Sequence, residues 1–249
     1  MSESGPVRVL DLFYGGYARR SLRFQDEKST PSEYLTPQNK FSRGLSAKVT
    51  RGVAMDRREI ETRGTLAIKR YLDSQKNWIT RVYAKRQLTL VSERLDWFAG
   101  EVLDIGCGRG ILEAVFRVCS RSFTSCDIVD TNFYGIEVKL CSAERLPFDS
   151  NKYDSVFMLG VIEHLQMPDL AVHECHRVLR TGGKLIISIP NGPVWRIMQL
   201  VKSWLPEHLK KHARFGQKQL YPLMDGWTLL SRQPVIPGLF WLYEFVVEK

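Results

Sequence analysis

Asp104, Gly106, Gly108 and Gly110 stand together in the run VLDIGCGRG, Val102 to Gly110, and Asp127 ends the apolar run SFTSCD. An apolar run that ends in an acid and meets spaced glycines suits a loop that brings backbone close to a ligand, because glycine tolerates sharp turns and close approach. Asp127 follows Gly106 by 21 residues. An acid at that spacing, at the end of a second strand, suits the hydroxyls of a ribose. The chemistry implied is recognition of a nucleoside-bearing cofactor.

The first three letters of that run occur twice, since VLDLFYGG spans Val9 to Gly16. The second occurrence has the context a cofactor loop needs: a helical pattern from Ile111 and an acid at the next strand end. The first is followed by YARRSLRFQDEKSTPSEYL, which is basic and then rich in Pro and Ser. Val9–Gly16 is therefore expected to be an edge strand, a packed apolar segment or part of a mobile arm, and not a second cofactor site. At the second loop, the dinucleotide pattern G-x-G-x-x-G requires glycine at 111, where Ile111 stands. Asp104, two residues before Gly106, would repel a pyrophosphate and favour a ligand carrying an ammonium group. S-adenosylmethionine (SAM) carries both an ammonium and a ribose.

Other chemistry-bearing residues are weaker candidates. Cys107 lies in the glycine loop without a His or Asn arranged to activate it, so a packed small side chain is expected. His164, in VIEHL, follows the fourth strand and is a candidate general base. His173, Cys175 and His176 share a helical segment, as do His208 and His212, at spacings that metal sites use. The inward stripe Val172, Cys175, Val178 and Leu179 turns the first pair of histidines toward solvent, and no metal is expected at either place.

These residues need elements to hold them. A helix is expected from about Arg58 to Ser74, weakened by Gly64, and a second across 76–98, where Leu88, Val91, Leu95 and Phe98 recur at helical spacing. EVLDI, SFTSCDIV, IEVKLCS, SVFMLG and KLIISIP read as five strands. Helices Ile111–Arg121 and Asp169–Leu179 lie between them, with Gly182-Gly183 beyond the second. Strands alternating with helices imply a parallel, doubly wound α/β sheet.

Length and composition bound the rest. A chain of 249 residues, 44% apolar and 25% charged, suffices for one such domain with an appendage. The start, MSESGPVRVLDLF, lacks signal-peptide features, and no apolar run approaches a membrane span. Five cysteines without a CxxC pair favour reduced thiols, so a cytoplasmic setting is expected. The net charge of +9 falls almost wholly in the first hundred residues. Residues 1–75 are expected to be a basic, partly disordered or weakly helical arm. An anionic partner such as RNA or a membrane surface is the sharper reading of its charge. Trp195 to Leu205, apolar with interspersed Arg196 and Lys202, reads as a helix over an acceptor pocket, or as a lid touching lipid.

VLDIGCGRG, SCDI, CSAERLPFDSNKYDSVFMLGVIEHL and HECHRVLRTGGKLIISIPN, in that order, resemble the class I SAM-dependent methyltransferases. The small-molecule branch that includes ubiquinone and menaquinone biosynthesis enzymes is the nearest in pattern. The resemblance runs from about Trp78 to Asn191. It implies a Rossmann-like sheet, mostly parallel with an antiparallel C-terminal hairpin strand and helices on both faces. Residues 76–249 would form the methyltransferase domain, with 192–249 as its acceptor-side cap. It implies that Gly106, Gly108 and Gly110 admit the methionine part of SAM and that Asp104 orients its ammonium. Asp127 would take the ribose, Ile128 the adenine face, Ala143 and Glu144 the adenine border, and Leu159-Gly160 the floor beneath the sulfonium. Two departures stand out: Ser142 replaces an acid usual in the family, and the Asp127–Ser142 connection is too short for a crossover helix, leaving Phe133 and Tyr134 to cover the adenine. The acceptor implied is a small or lipid-like molecule. An RNA-directed methyltransferase and a non-catalytic SAM-fold binding protein are the alternatives.

Overall fold

The computed structural model describes residues 57–75, 78–190 and 215–249. Val9–Gly16, the Trp195–Leu205 segment, His208 and His212 lie outside them. The chain divides into two units, residues 1–66 and 67–249. Of the first, the described residues are 57–66, the opening of helix α1 (Arg57–Asp73).

The second unit is built on one seven-stranded sheet. Its strands are β1 (Glu101–Ile105), β2 (Ser122–Asp127), β3 (Val138–Leu140), β4 (Tyr153–Leu159), β5 (Leu179–Pro190), β6 (Trp227–Ile236) and β7 (Phe240–Val247). They lie side by side in the order β3-β2-β1-β4-β5-β7-β6. The first five are parallel, and β7 runs antiparallel between β5 and β6. The mostly parallel sheet with an antiparallel C-terminal hairpin is thus present as expected. From β1 the chain winds outward through β2 to β3, then returns to place β4 on the other side of β1. Ligands of doubly wound sheets bind at the carboxyl ends of the strands where the order reverses. Here that is the edge after Ile105 and Leu159.

Apolar sequence explains the sheet. β1 and β4 are buried almost throughout, as parallel strands covered on both faces must be. Leu103, Ile105, Met158 and Ile187 share one core with Val172, Cys175 and Val178 of helix α4 (Pro168–Val178). The inward stripe read from the sequence is this row. His173 is exposed, but His176 is half-buried, its ring 5.6 Å from that of Trp227, so it does not simply face solvent.

Another cluster is aromatic. Phe98 stacks on Phe116 at 4.2 Å and on Phe157 at 4.7 Å. Phe116 ends helix α3 (Ile111–Phe116), which is shorter than expected because a 3-10 turn, Arg117–Cys119, replaces its last part.

The second predicted helix also ends early. Helix α2 covers Trp78–Ser92, and Leu95–Phe98 forms a separate 3-10 turn. The break lets two adjacent large side chains both be buried. Trp97 donates its indole N–H to Glu244 Oε1 at 2.8 Å, while Phe98 enters the aromatic stack. Between β2 and β3 no helix intervenes, in keeping with the short connection read from the sequence.

Candidate functional site

The loop after β1 is fixed from below and from the side. Gly106 and Cys107 donate their N–H groups to the carbonyl of Cys126, at 2.8 and 3.1 Å. Gly108 donates to Asp127 Oδ2 at 2.8 Å, and Asp127 Oδ1 accepts from Ile128 N at 2.7 Å. Asp127 therefore ties the end of β2 to the tip of the glycine loop. Gly106 has φ +69°, and a Cβ there would stand 2.3 Å from Val161 Cγ2. Glycine is required at this point because the turn after β4 packs directly against it. Among the described residues, nothing lies within 4 Å of a Cβ built at Gly108.

A cavity of about 550 Å³ opens beside this loop. Asp104, Gly106 and Gly108 border it, with Leu159 from β4, Tyr71 and Gln75 from α1 and the residues after it, and Gln87 from α2. Asp104 is only 3% exposed. Burial first, and then the neighbouring carboxylates of Glu113 and Asp127, push its pKa up to about 8. A buried acid that is costly to ionise alone is stabilised when a cation comes beside it. The ammonium of SAM is such a cation, so Asp104 and the bare glycine loop fit that group. Burial, followed by Asp104 and Asp127, pushes the Cys107 thiol up to about 12. Cys107 is thus held as a protonated, packed thiol, as its surroundings in the sequence suggest.

The ten residues expected at the cofactor are not all alike in position. Asp104, Gly106, Gly108 and Leu159 line the cavity, and Asp127 joins it through Gly108. Gly110 precedes α3, packed toward Ile136. Ile128 is 73% exposed and stands with Val129, Phe133 and Leu140 as an exposed apolar group following Asp127 and β3. Tyr134 donates its hydroxyl to the carbonyl of Ala67 at 2.8 Å. Ala143 is in the main core, and Glu144 Oε1 accepts from Gln166 N and Met167 N at 2.9 and 2.8 Å, ahead of α4. Neither Ala143 nor Glu144 borders the cavity. Ser142 accepts from Glu144 N, so the residue at the family's acid position organises its own turn.

Several residues at the site carry no motif. Gln87 donates to the Tyr83 hydroxyl at 2.8 Å and to Ser188 Oγ at 3.1 Å. Beside them, Gly160 follows β4 with φ +70°, and Glu163 lies three residues on. Among the described residues Glu163 Oε2 is enclosed without a hydrogen-bond partner, and burial pushes the carboxyl up to about 7. The one legible signal was the pair Tyr83 and Gln87, polar residues four apart beside the apolar stripe of α2. His164, the base candidate from the sequence, is exposed on the same turn.

Residues 103–187 match the family described as a methyltransferase domain. The ubiquinone biosynthesis O-methyltransferase of Xanthomonas oryzae pv. oryzae (strain PXO99A) is 30% identical over 117 residues, covering 42% of this chain and 49% of that protein. The enzyme of the same name from Klebsiella pneumoniae subsp. pneumoniae is 26% identical over 157 residues, covering 56% and 65%. The chain thus spans about half the length of the first of these relatives and about two thirds of the second. In fold it is similar to magnesium protoporphyrin IX methyltransferase from Synechocystis PCC 6803, solved with bound SAH, at a TM-score of 0.56 and 15% identity over 74% of this chain and 94% of that one. A Pyrococcus horikoshii OT3 protein gives the same TM-score at 16% identity, over 70% and 93%. Residues 103–187 therefore form a methyltransferase domain, similar to that of the ubiquinone biosynthesis enzymes, with SAM as its cofactor.

Proposed function

We propose that this protein transfers the methyl group of SAM to a small-molecule or lipid-like acceptor. The observation that carries the reading is the joining of three features at one strand edge. These are a glycine loop held by Asp127, the buried acid Asp104, and a cavity large enough for a nucleoside ligand. Bound SAM supplies an electrophilic methyl group on a sulfonium. The protein's part is to orient and to exclude water. Asp104 would hold the ammonium, Asp127 the ribose, Ile128 the adenine face, and Leu159-Gly160 the floor. Alignment in a dry pocket accounts for much of the acceleration in such a transfer. The names of the curated relatives favour oxygen as the accepting atom. Residues 192–249 are the part we assign to the acceptor side. Isothermal titration with SAM tests the reading: micromolar binding is expected, and its absence would overturn both the cofactor assignment and the activity.

A further inference from the structure

Two thiols meet where β2 and β3 end. Cys126 lies on β2 beside Lys139 of β3 and is almost wholly buried. Cys141 follows β3 and is half-buried. Its N–H donates to the Asp127 carbonyl at 3.0 Å, which carries the parallel ladder one step beyond Leu140. Side chains two apart along a strand share a face, so Cys141 falls on the face of Lys139 and hence of Cys126. There Cys126 donates its S–H to the Cys141 sulfur. That hydrogen bond favours the thiolate on Cys141 and, ahead of burial, disfavours it on Cys126. Burial raises Cys107, Cys119 and Cys175 instead. Cys141 is thus the thiol most disposed to ionise, and it is partly open to water.

The cofactor loop rests on the same place. The Cys126 carbonyl holds the N–H groups of Gly106 and Cys107, and the next residue, Asp127, holds that of Gly108. We propose that Cys126 and Cys141 form a peroxide-responsive pair, and that their oxidation to a disulfide loosens the seat of SAM. The Cys141 thiolate attacks one oxygen of hydrogen peroxide, the O–O bond breaks, and hydroxide leaves. The Cys126 sulfur then attacks the Cys141 sulfenic acid. The S–S bond forms, the S–O bond breaks, and the departing hydroxide takes the Cys126 proton. The two thiols lose two electrons between them, and one peroxide becomes two waters.

The bond couples to the loop through distance. Diagonal neighbours on adjacent strands have Cα atoms about 7–8 Å apart. A disulfide holds them at about 4.4–6.8 Å. Closing it draws the ends of β2 and β3 together and shifts the Cys126 carbonyl away from the two N–H groups it serves.

The test treats the full chain with hydrogen peroxide and reads the bridge by non-reducing tryptic mass spectrometry. The peptide 122–139, which contains Cys126, should be joined to LCSAER, Leu140 to Arg145. Oxidised protein should bind SAM at least about tenfold more weakly than reduced protein in calorimetry, and dithiothreitol should restore the affinity. Saturating SAM should in turn favour the reduced pair by the same factor in equilibrium with glutathione. Cys141→Ser should bind SAM as reduced protein does and keep that affinity in peroxide. Cys126→Ser should accumulate a sulfenic acid on Cys141 that dimedone captures. No bridge, a bridge between other cysteines, or a bridge that leaves SAM affinity unchanged would overturn the proposal. So would Cys141→Ser that loses affinity in peroxide as the wild type does. Reduced protein that binds no SAM would instead overturn the cofactor reading, since the bridge is read by mass alone.

Discussion

The turns after β1 and β4 enter the same strand edge through glycines of positive φ and touch each other at Gly106 and Val161, yet they are finished differently. In the first, backbone donors meet acceptors: the Cys126 carbonyl takes two N–H groups and Asp127 takes the tip. In the second, one oxygen of Glu163 is enclosed and has no hydrogen-bond partner among the described residues. One turn is complete before ligand arrives. The other keeps chemical capacity in reserve. The comparison teaches that one turn at a strand edge can be satisfied within itself while its neighbour keeps an unspent polar group.

The largest effect should come from Gly108→Arg, which sends a long side chain into the open space at the loop tip. SAM affinity is expected to fall by at least about 100-fold in calorimetry while circular dichroism stays native. Retained affinity would show that the first turn is not the cofactor's seat. Asp127→Ala should come next. It removes the carboxylate that holds Gly108 N, at a cost of about 1.5–3 kcal/mol in SAM binding, or roughly 10–100-fold. An unchanged dissociation constant would separate the tether from binding.

A smaller effect is expected from pH. The fold raises the Asp104 pKa to about 8, so the empty protein holds this proton more tightly than the unfolded chain. Its contribution to stability is full below the ordinary carboxylate range and is lost as pH rises toward 8. A bound ammonium reverses the preference, so SAM binding should release a proton. Affinity should then rise between pH 6 and 7.5 by up to about tenfold per unit. Calorimetry in buffers of different ionisation heat would detect the proton, and Asp104→Asn should abolish both trends.

The contact between the turns can be tested on stability alone. Gly106→Ala should destabilise, through backbone strain of about 1–2 kcal/mol and collision with Val161. Adding Val161→Ala should recover part of the loss, on the order of 1 kcal/mol, in denaturant unfolding. Additive losses would mean that the turns do not lean on each other.

The first turn was legible in the sequence, and of the second only Leu159-Gly160 and His164, for a physical reason. Glycine spacing, Asp104, Ile111 and Asp127 are local signals, fixed by what a backbone turn at a strand end permits. The alternation of strands and helices was legible for the same reason, since each pattern repeats within its own element. Glu163 gave no such signal, because the enclosure of its Oε2 is set by packing, which only the folded chain determines. His164 drew attention instead, since an imidazole titrates near neutrality without help, but the turn leaves it exposed. Tyr71 and Gln75 fall in the segment read as a basic arm, yet they border the cavity. A helix to Ser74 was expected there, but its charge-rich neighbours hid that its end packs. Ala143 and Glu144 were placed beside the adenine by resemblance, and their side chains lie in the core and in the turn before α4.

The helix-free connection between β2 and β3 has a thermal consequence. Ile128, Val129, Phe133 and Leu140 are all more than half exposed to water there. If the adenine lies on Ile128, binding will dehydrate part of that surface, and removal of apolar area from water carries a negative heat-capacity change. The enthalpy of SAM binding should then grow more exothermic with each degree of warming, and Ile128→Ser should flatten that slope while barely altering the affinity at room temperature. Where a crossover helix would have given a permanent cover, the cofactor's own ring would then be the shield.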